Sequence, residues 1–205
     1  ADHLNKSLYT KELKRGRKNF FIWTGIVLAF TILVLSIFPS METMGDDLTS
    51  MMSNLPEELT KAMGMDEQTW SSSIGFYSTY FGIYIVLLTG IYTMSTGATI
   101  VSQEEKNKTA EFLLTKPISR KSIFISKMLC LFTFSFLIML IQMIVAAIGL
   151  QMGGDHIQWD LFVTMHIHGA GLIVFFTSLG VLLSMFLNPK MNFMGLVFGI
   201  IFGSY

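Results

Sequence analysis

Apolar residues in this 205-residue chain gather in long blocks instead of alternating with polar ones. Phe20 to Phe38 is the first block, closed by Pro39. Ile74 to Val101 is the second and Met128 to Leu150 the third. Leu161 to Leu187, closed by Asn188-Pro189, is the fourth, and a fifth begins at Met191. A helix needs about 20 apolar residues to cross about 30 Å of hydrocarbon, and the first four blocks meet that requirement. Strands of a membrane barrel would instead alternate at period two over about 10 positions. The pattern therefore predicts an all-α, polytopic transmembrane helix bundle with five spans visible. The fifth, which stops in Gly203-Ser204-Tyr205, is short, and we expect a sixth span in the complete protein. A cleaved signal peptide does not fit the first block, whose apolar run is too long and whose Phe38-Pro39-Ser40 is not a small-x-small site.

Composition agrees with a membrane-embedded chain. Apolar residues make up 52% and charged residues 14%, against about a quarter charged in soluble domains. Mean hydropathy is +0.57. A net charge of zero gives no bulk basic character for nucleic acid. Cys130, the single cysteine, lies in an apolar run and reads as a packing residue.

The charges divide the chain. Lys6, Lys11, Lys14, Arg15, Arg17 and Lys18 precede the first span. Lys106, Lys108, Lys116, Arg120, Lys121 and Lys127 lie between the second and third, and Lys190 precedes the fifth. Loops 39–73 and 151–160 hold only Lys61 and are rich in acids. The excess of lysine and arginine on one side places the N-terminus, 102–127 and 188–190 in the cytoplasm.

The connecting segments carry weaker signals. Leu4, Leu8 and Leu13 are spaced for an amphipathic helix on the inner membrane surface, with lysines toward anionic lipid; a solvated basic tail is the alternative. In the outer loop, Leu48, Met51, Met52, Leu55, Leu59, Ala62 and Met63 recur at three to four, which predicts an amphipathic helix. Pro56 with Glu57 and Glu58 would start its second half and Gly64 would stop it. It could cap the spans or form a ligand lid. Trp70 and Trp159 stand where an outer aromatic belt belongs. His166 and His168 are two apart on a helix, so they cannot share one metal ion. One of them facing the interior is a candidate for a polar contact, and Gly169 and Gly171 beside them suggest close packing.

The most polar interior stretch is residues 102–122, SQEEKNKTAEFLLTKPISRKS, set between two uncharged blocks. Glu104 and Lys108 pair at i,i+4 in the favourable order. Phe112, Leu113 and Leu114 are apolar, and Pro117 ends the helix. Ser119 then caps a helix that carries Lys127 into the third span. A short charged helix with large apolar side chains at the inner mouth of two spans suits docking into a groove on a cytoplasmic partner. A helix resting among headgroups would account for the amphipathicity alone.

This stretch resembles a known signature. Glu104-Glu105, Thr109, Glu111, Leu113-Leu114, Pro117-Ile118-Ser119-Arg120, Ile123 and Lys127 are similar in order and spacing to the motif of ABC-2 type transporter permeases. The segments ELKRGRKNFFIW, FPSM and LPEELTKAMGM extend the resemblance over the chain. Lys108 departs from the family's usual glycine, although Asn107 beside it tolerates left-handed backbone.

The resemblance implies a single permease domain over 1–205, with a cytoplasmic arm at 1–19, an outer loop at 39–73 and a coupling segment at 102–127. It implies six spans, a pore built by two permease copies (homo- or heterodimer), and two cytoplasmic ABC ATPase subunits that bind ATP and magnesium. Glu104, Glu105, Lys108, Thr109, Glu111, Phe112, Leu113, Pro117 and Arg120 would then carry coupling. Phe112 and Leu113 would be buried anchors, the acids would meet basic residues of the partner, and the arm would make a second contact. The chain has no G-x-x-x-x-G-K-[ST] phosphate loop, so a catalytic role in ATP hydrolysis is not expected of it. Gly90, Gly97 and Ala98 would let spans of two copies approach closely. Uncharged spans favour a lipid, peptide or other amphipathic export substrate, in the plasma membrane of a prokaryote. Two other readings are an anchor or assembly factor that moves nothing, and an intramembrane protease using Glu104-Glu105 with distant histidines.

Overall fold

The computed structural model describes residues 6–43, 50, 54–62, 73–100, 118–154, 156–186 and 193–204. Among them the regular elements are helical and no strand occurs. In chain order these are α1 (Lys6–Thr43), α2 (Glu57–Ala62), α3 (Ser73–Tyr80), a π-helical segment (Phe81–Ile85), α4 (Val86–Ile100), α5 (Arg120–Met152), α6 (Trp159–Phe186) and α7 (Phe193–Ser204). α3, the π segment and α4 form one continuous span. Four rods among the described residues are long and apolar enough to cross a membrane: Lys6–Ser40, Ser73–Ile100, Arg120–Met152 and Trp159–Phe186. α7 is apolar, but its 12 residues cover about 18 Å.

The ends of the first span differ from expectation. Pro39 lies inside α1 and does not close it. A proline deprives only the carbonyl four residues back, here Leu35, of its helical donor, and this loss falls near the outer end of the rod. From Lys6 on, the N-terminal arm is neither a separate surface helix nor a solvated tail, and Leu4 lies outside the described residues. Lys6 to Asn19 continue the first span as one helix, adding about 21 Å to it. No proline stands between the arm and Phe20, so the hydrogen-bond ladder runs on. The arm is amphipathic, but its buried face, Leu8 and Glu12, is turned into the protein while Lys6, Lys11, Lys14, Arg17 and Lys18 stay exposed.

Two other boundaries follow the sequence. Ser119 caps α5, its Oγ accepting from the Ser122 amide at 3.1 Å. The Gly153-Gly154 turn ends that helix, with Gly154 at φ +83, the left-handed region that favours glycine. Pro56 precedes α2 and its carbonyl accepts from the Leu59 amide at 2.9 Å. Leu55 and Leu59 are exposed. Leu48, Met51, Met52, Gly64 and Trp70 lie outside the described residues, while Trp159 begins α6, half exposed.

Packing divides the rods into two sets. α4 packs most extensively on α6, with α7 against α4, and α1 packs on α5. Both major pairs are parallel. Tyr77 meets His166, Gly90 lies against Phe176 and Gly97 against Val181, so the second and fourth spans run in one direction. Glu12 meets Lys127, Phe20 stacks on Phe134 with ring centroids 5.0 Å apart, and Leu35 lies against Gly149, so the first and third spans also run together. This is the alternation that the charge pattern predicts.

The tightest crossing is between α4 and α6. A Cβ on Gly97 would stand 2.8 Å from the Thr177 carbonyl oxygen, and a Cβ on Gly180 would run into the Met94 backbone. Gly90, Gly97 and Ala98 are all buried within one chain, which corrects the expectation that they serve contact between two copies; their small size admits the neighbouring span of the same chain. Gly169 admits the Phe81 ring, whereas Gly171 has no neighbour within 4 Å. Cys130 is buried among apolar side chains, as its sequence context predicts.

Because Gly180 faces backbone, a side chain there cannot be relieved by a rotamer change. Overpacking a close-packed interior costs about 1–3 kcal/mol, and G180V is expected at the upper end, read as a lower thermal unfolding midpoint in detergent. G171A should leave the midpoint unchanged, or raise stability by up to about 1 kcal/mol through helix propensity. Equal losses in both variants would contradict this packing.

Candidate functional site

The described residues frame the polar stretch of 102–122 from both sides. Glu104, Glu105, Lys108, Thr109, Glu111, Phe112, Leu113 and Pro117 lie outside the described residues. Arg120 is the first residue of α5 and is exposed. Ile100, the last residue of α4, stands at the other edge.

Lys127 joins these edges. Its side chain is almost wholly buried, and Nζ donates to the Ile100 carbonyl at 2.9 Å and to Glu12 Oε1 at 3.3 Å. Lys127 therefore ties the last described turn of the second span to the third. Glu12, also buried, pairs its other oxygen with Arg15 Nη2 at 2.9 Å. A charge taken out of water must be paired and hydrogen-bonded, and here one carboxylate and two cations meet that condition. Tyr9 adds a bond between its hydroxyl and Thr133 Oγ1 at 2.8 Å. The arm, the end of the second span and the start of the third thus meet at one end of the bundle. These are the same segments that the lysine and arginine count assigns to the cytoplasm.

Sequence reasoning singled out Lys127 but gave Glu12 no role. The available signal was its isolation, since Glu12 is the one acid between Lys6 and Lys18. The view that the spans hold no charge also needs correction, because Glu12 and Lys127 are buried in the inner turns of two spans. The fold allows this by letting the two side chains neutralise each other.

A second buried polar group lies toward the opposite end. His166 on α6, Tyr77 on α3 and Gln142 on α5 converge. The His166 Nδ1 donates to the Phe162 carbonyl at 2.8 Å, which leaves Nε2 to accept. The Tyr77 hydroxyl is 3.1 Å from Nε2. The Gln142 amide reaches both, with its nitrogen 2.5 Å from the Tyr77 oxygen and its oxygen 3.2 Å from His166 Nε2. With Nε2 accepting, the amide oxygen cannot bond it; turned end for end, the amide donates to the ring and accepts from the phenol, the setting that satisfies both partners. Phe81 and Phe162 shield the imidazole, with ring centroids 4.5 Å and 4.3 Å away. Interhelical hydrogen bonds in lipid contribute about 0.6 kcal/mol each, so this group orders the spans more than it stabilises them.

The sequence predicts that one of the two histidines faces the interior, and it is His166. His168 is exposed and bonds the Thr164 carbonyl of its own helix. His166 bonds Tyr77 and Phe162 while His168 bonds its own helix, so the two histidines do not form a pair. Gln142 and Tyr77 were not singled out, although Gln142 is the one amide in the block Met128 to Leu150.

Replacing one member of a buried ion pair strands its partner, at about 3–5 kcal/mol. K127M leaves Glu12 paired with Arg15, so it is expected to lose stability by less than that range in detergent melts. The E12Q–K127M double variant, which removes both charges, should be more stable than K127M alone. Additive losses would contradict the coupling.

No curated protein matches the chain, and no solved structure does. A family model described as ABC-2 family transporter protein matches residues 7–205. That match spans nearly the whole chain, and with the helical bundle it shows that this multi-pass membrane protein belongs to the ABC-2 transporter family, the membrane permeases of ABC transporters.

Proposed function

We propose that this permease has no ATPase activity of its own and that two copies form an export path in a prokaryotic plasma membrane. Residues 102–122 dock into a groove of a cytoplasmic ABC ATPase that binds ATP and magnesium. Phe112 and Leu113 are the buried anchors, held by the turn at Pro117. Glu104, Glu105 and Glu111 meet basic residues of the partner, Lys108 and Arg120 flank the contact, and Thr109 faces it. The exposed lysines of the arm make a second contact.

The observation that carries this reading is the buried Lys127 clamp. Lys127 ties the last carbonyl of α4 and the Glu12 carboxylate of α1 to the start of α5. A partner that displaces the segment between Ile100 and Lys127 therefore pulls on three spans through one ammonium group. A flexible loop with loose ends would absorb such a displacement. Apolar anchors bordered by charges suit a groove of complementary charge, and the uncharged middle of each span suits an amphipathic cargo.

Central interface anchors cost 2 kcal/mol or more on truncation, about 30-fold in affinity. F112A–L113A should therefore weaken ATPase binding by at least that factor and abolish stimulation of ATP hydrolysis in the reconstituted complex, with the melting midpoint of the permease unchanged. Full stimulation by the variant would overturn the assignment of the docking segment. A wild-type complex that hydrolyses ATP but moves no cargo would leave a membrane anchor as the function.

A further inference from the structure

Packing is most extensive within two pairs of spans, and most hydrogen bonds between spans fall inside the same pairs, although one apolar core runs through all four. One unit is α1 with α5, the first and third spans. The other is the second span with α6 and α7. Bonds inside the first unit include Glu12 to Lys127 and Tyr9 to Thr133. Tyr77 to His166 lies inside the second, as does the close α4–α6 crossing at Gly97 and Gly180. Among the described residues, polar links cross between the units at opposite ends. Lys127 to the Ile100 carbonyl crosses at the arm end. Gln142 to Tyr77 and His166 crosses at the other.

We propose that the two units move against each other and that Gln142 is the latch that holds them together at the outer end. The chemistry of the trio supports this. The α4–α6 contact is backbone against backbone and cannot slide without clash. Gln142, by contrast, holds through a side-chain amide with rotatable bonds, and hydrogen bonds between helices in lipid are weak enough to open thermally. When the amide leaves, Tyr77 still donates to His166 Nε2 at 3.1 Å and His166 still donates to Phe162. No donor of the Tyr77–His166 pair is stranded, so the cost of opening falls on the buried Gln142 amide alone. The π-helical segment Phe81–Ile85 lies one turn beyond Tyr77; such segments interrupt the regular ladder and recur at functional sites in helices. The proposal invokes no protonation. Tyr77 is the titratable group bonded to His166, α5 presents Gln142, and the π segment presents Phe81.

Q142M keeps the volume and removes the link while leaving the Tyr77–His166 bond intact. The test uses the full chain in lipid nanodiscs with Cys130 replaced by serine, spin-labelled at I83C and I148C. These lipid-facing sites, 41% and 52% exposed, lie on different units. A second sample carries I83C and L172C, both on one unit. Dilution with unlabelled chain restricts the reading to distances within one copy. Q142M is expected to lengthen and broaden the 83–148 distance distribution and to leave the 83–172 distribution unchanged. An unchanged 83–148 distribution would overturn the proposal. So would equal broadening of both, which would make Gln142 general structural support. Q142L removes the same link and replaces Q142M if the methionine variant does not fold.

Discussion

An ammonium group buried at one end of a helical bundle must be neutralised, and the way Lys127 is neutralised organises the rest of this molecule. Its three protons have few places to go in an apolar setting. The Glu12 carboxylate takes one and the Ile100 carbonyl takes another. Each partner belongs to a different span. The requirement to pair one charge thus fixes the arm, the second span and the third span relative to one another. It also explains why α1 begins far below the apolar block. The arm has to be helical at Glu12 for its carboxylate to reach Lys127, and it has to be amphipathic for the surrounding lysines to remain in water.

Above this clamp the interior changes character. Packing between the second and fourth spans relies on absent side chains at Gly97 and Gly180, where backbones meet. In lipid there is little hydrophobic drive between helices, so such close approach and the dispersion it brings hold spans together. Phe176, Met94 and Ile201 fill the space around that crossing. Contact between the two units instead mixes apolar side chains with amides, a phenol and an imidazole. One interface is therefore rigid by geometry, while the other is held by groups that can exchange partners. A transporter needs both, since rigid units transmit motion and adjustable contacts let it happen.

Much of this was legible in the residues. Uninterrupted apolar blocks gave the second and fourth spans to within a turn, because hydrocarbon thickness sets a length that composition must match, but missed the charged inner turns of the first and third. Lysine and arginine counts gave the alternation that parallel packing of odd with odd and even with even spans repeats. Ser119 as a cap and His166 facing inward follow from local rules. Partners across the fold were less legible. Glu12 looked like one acid in a basic arm, and its burial depends on Lys127, more than a hundred residues away. Gly90, Gly97 and Ala98 read as contact residues, but small residues do not say whose helix they admit. Pro39 read as a stop, and a proline near a helix end costs too little to enforce one. Neither the π-helical segment nor the amide of Gln142 has a periodic signature, since each is decided by packing against other spans.

The proposed coupling requires residues 102–122 to lie at the cytoplasmic face, where a partner that binds nucleotide can reach them. The most direct measurement is labelling of N107C, in a Cys130→Ser background, by a membrane-impermeant thiol reagent. In whole cells the reagent should leave position 107 unmodified, and it should react fully once the inner membrane is permeabilised. Modification in intact cells would place the segment outside, invert every span and contradict the coupling role of the Lys127 clamp.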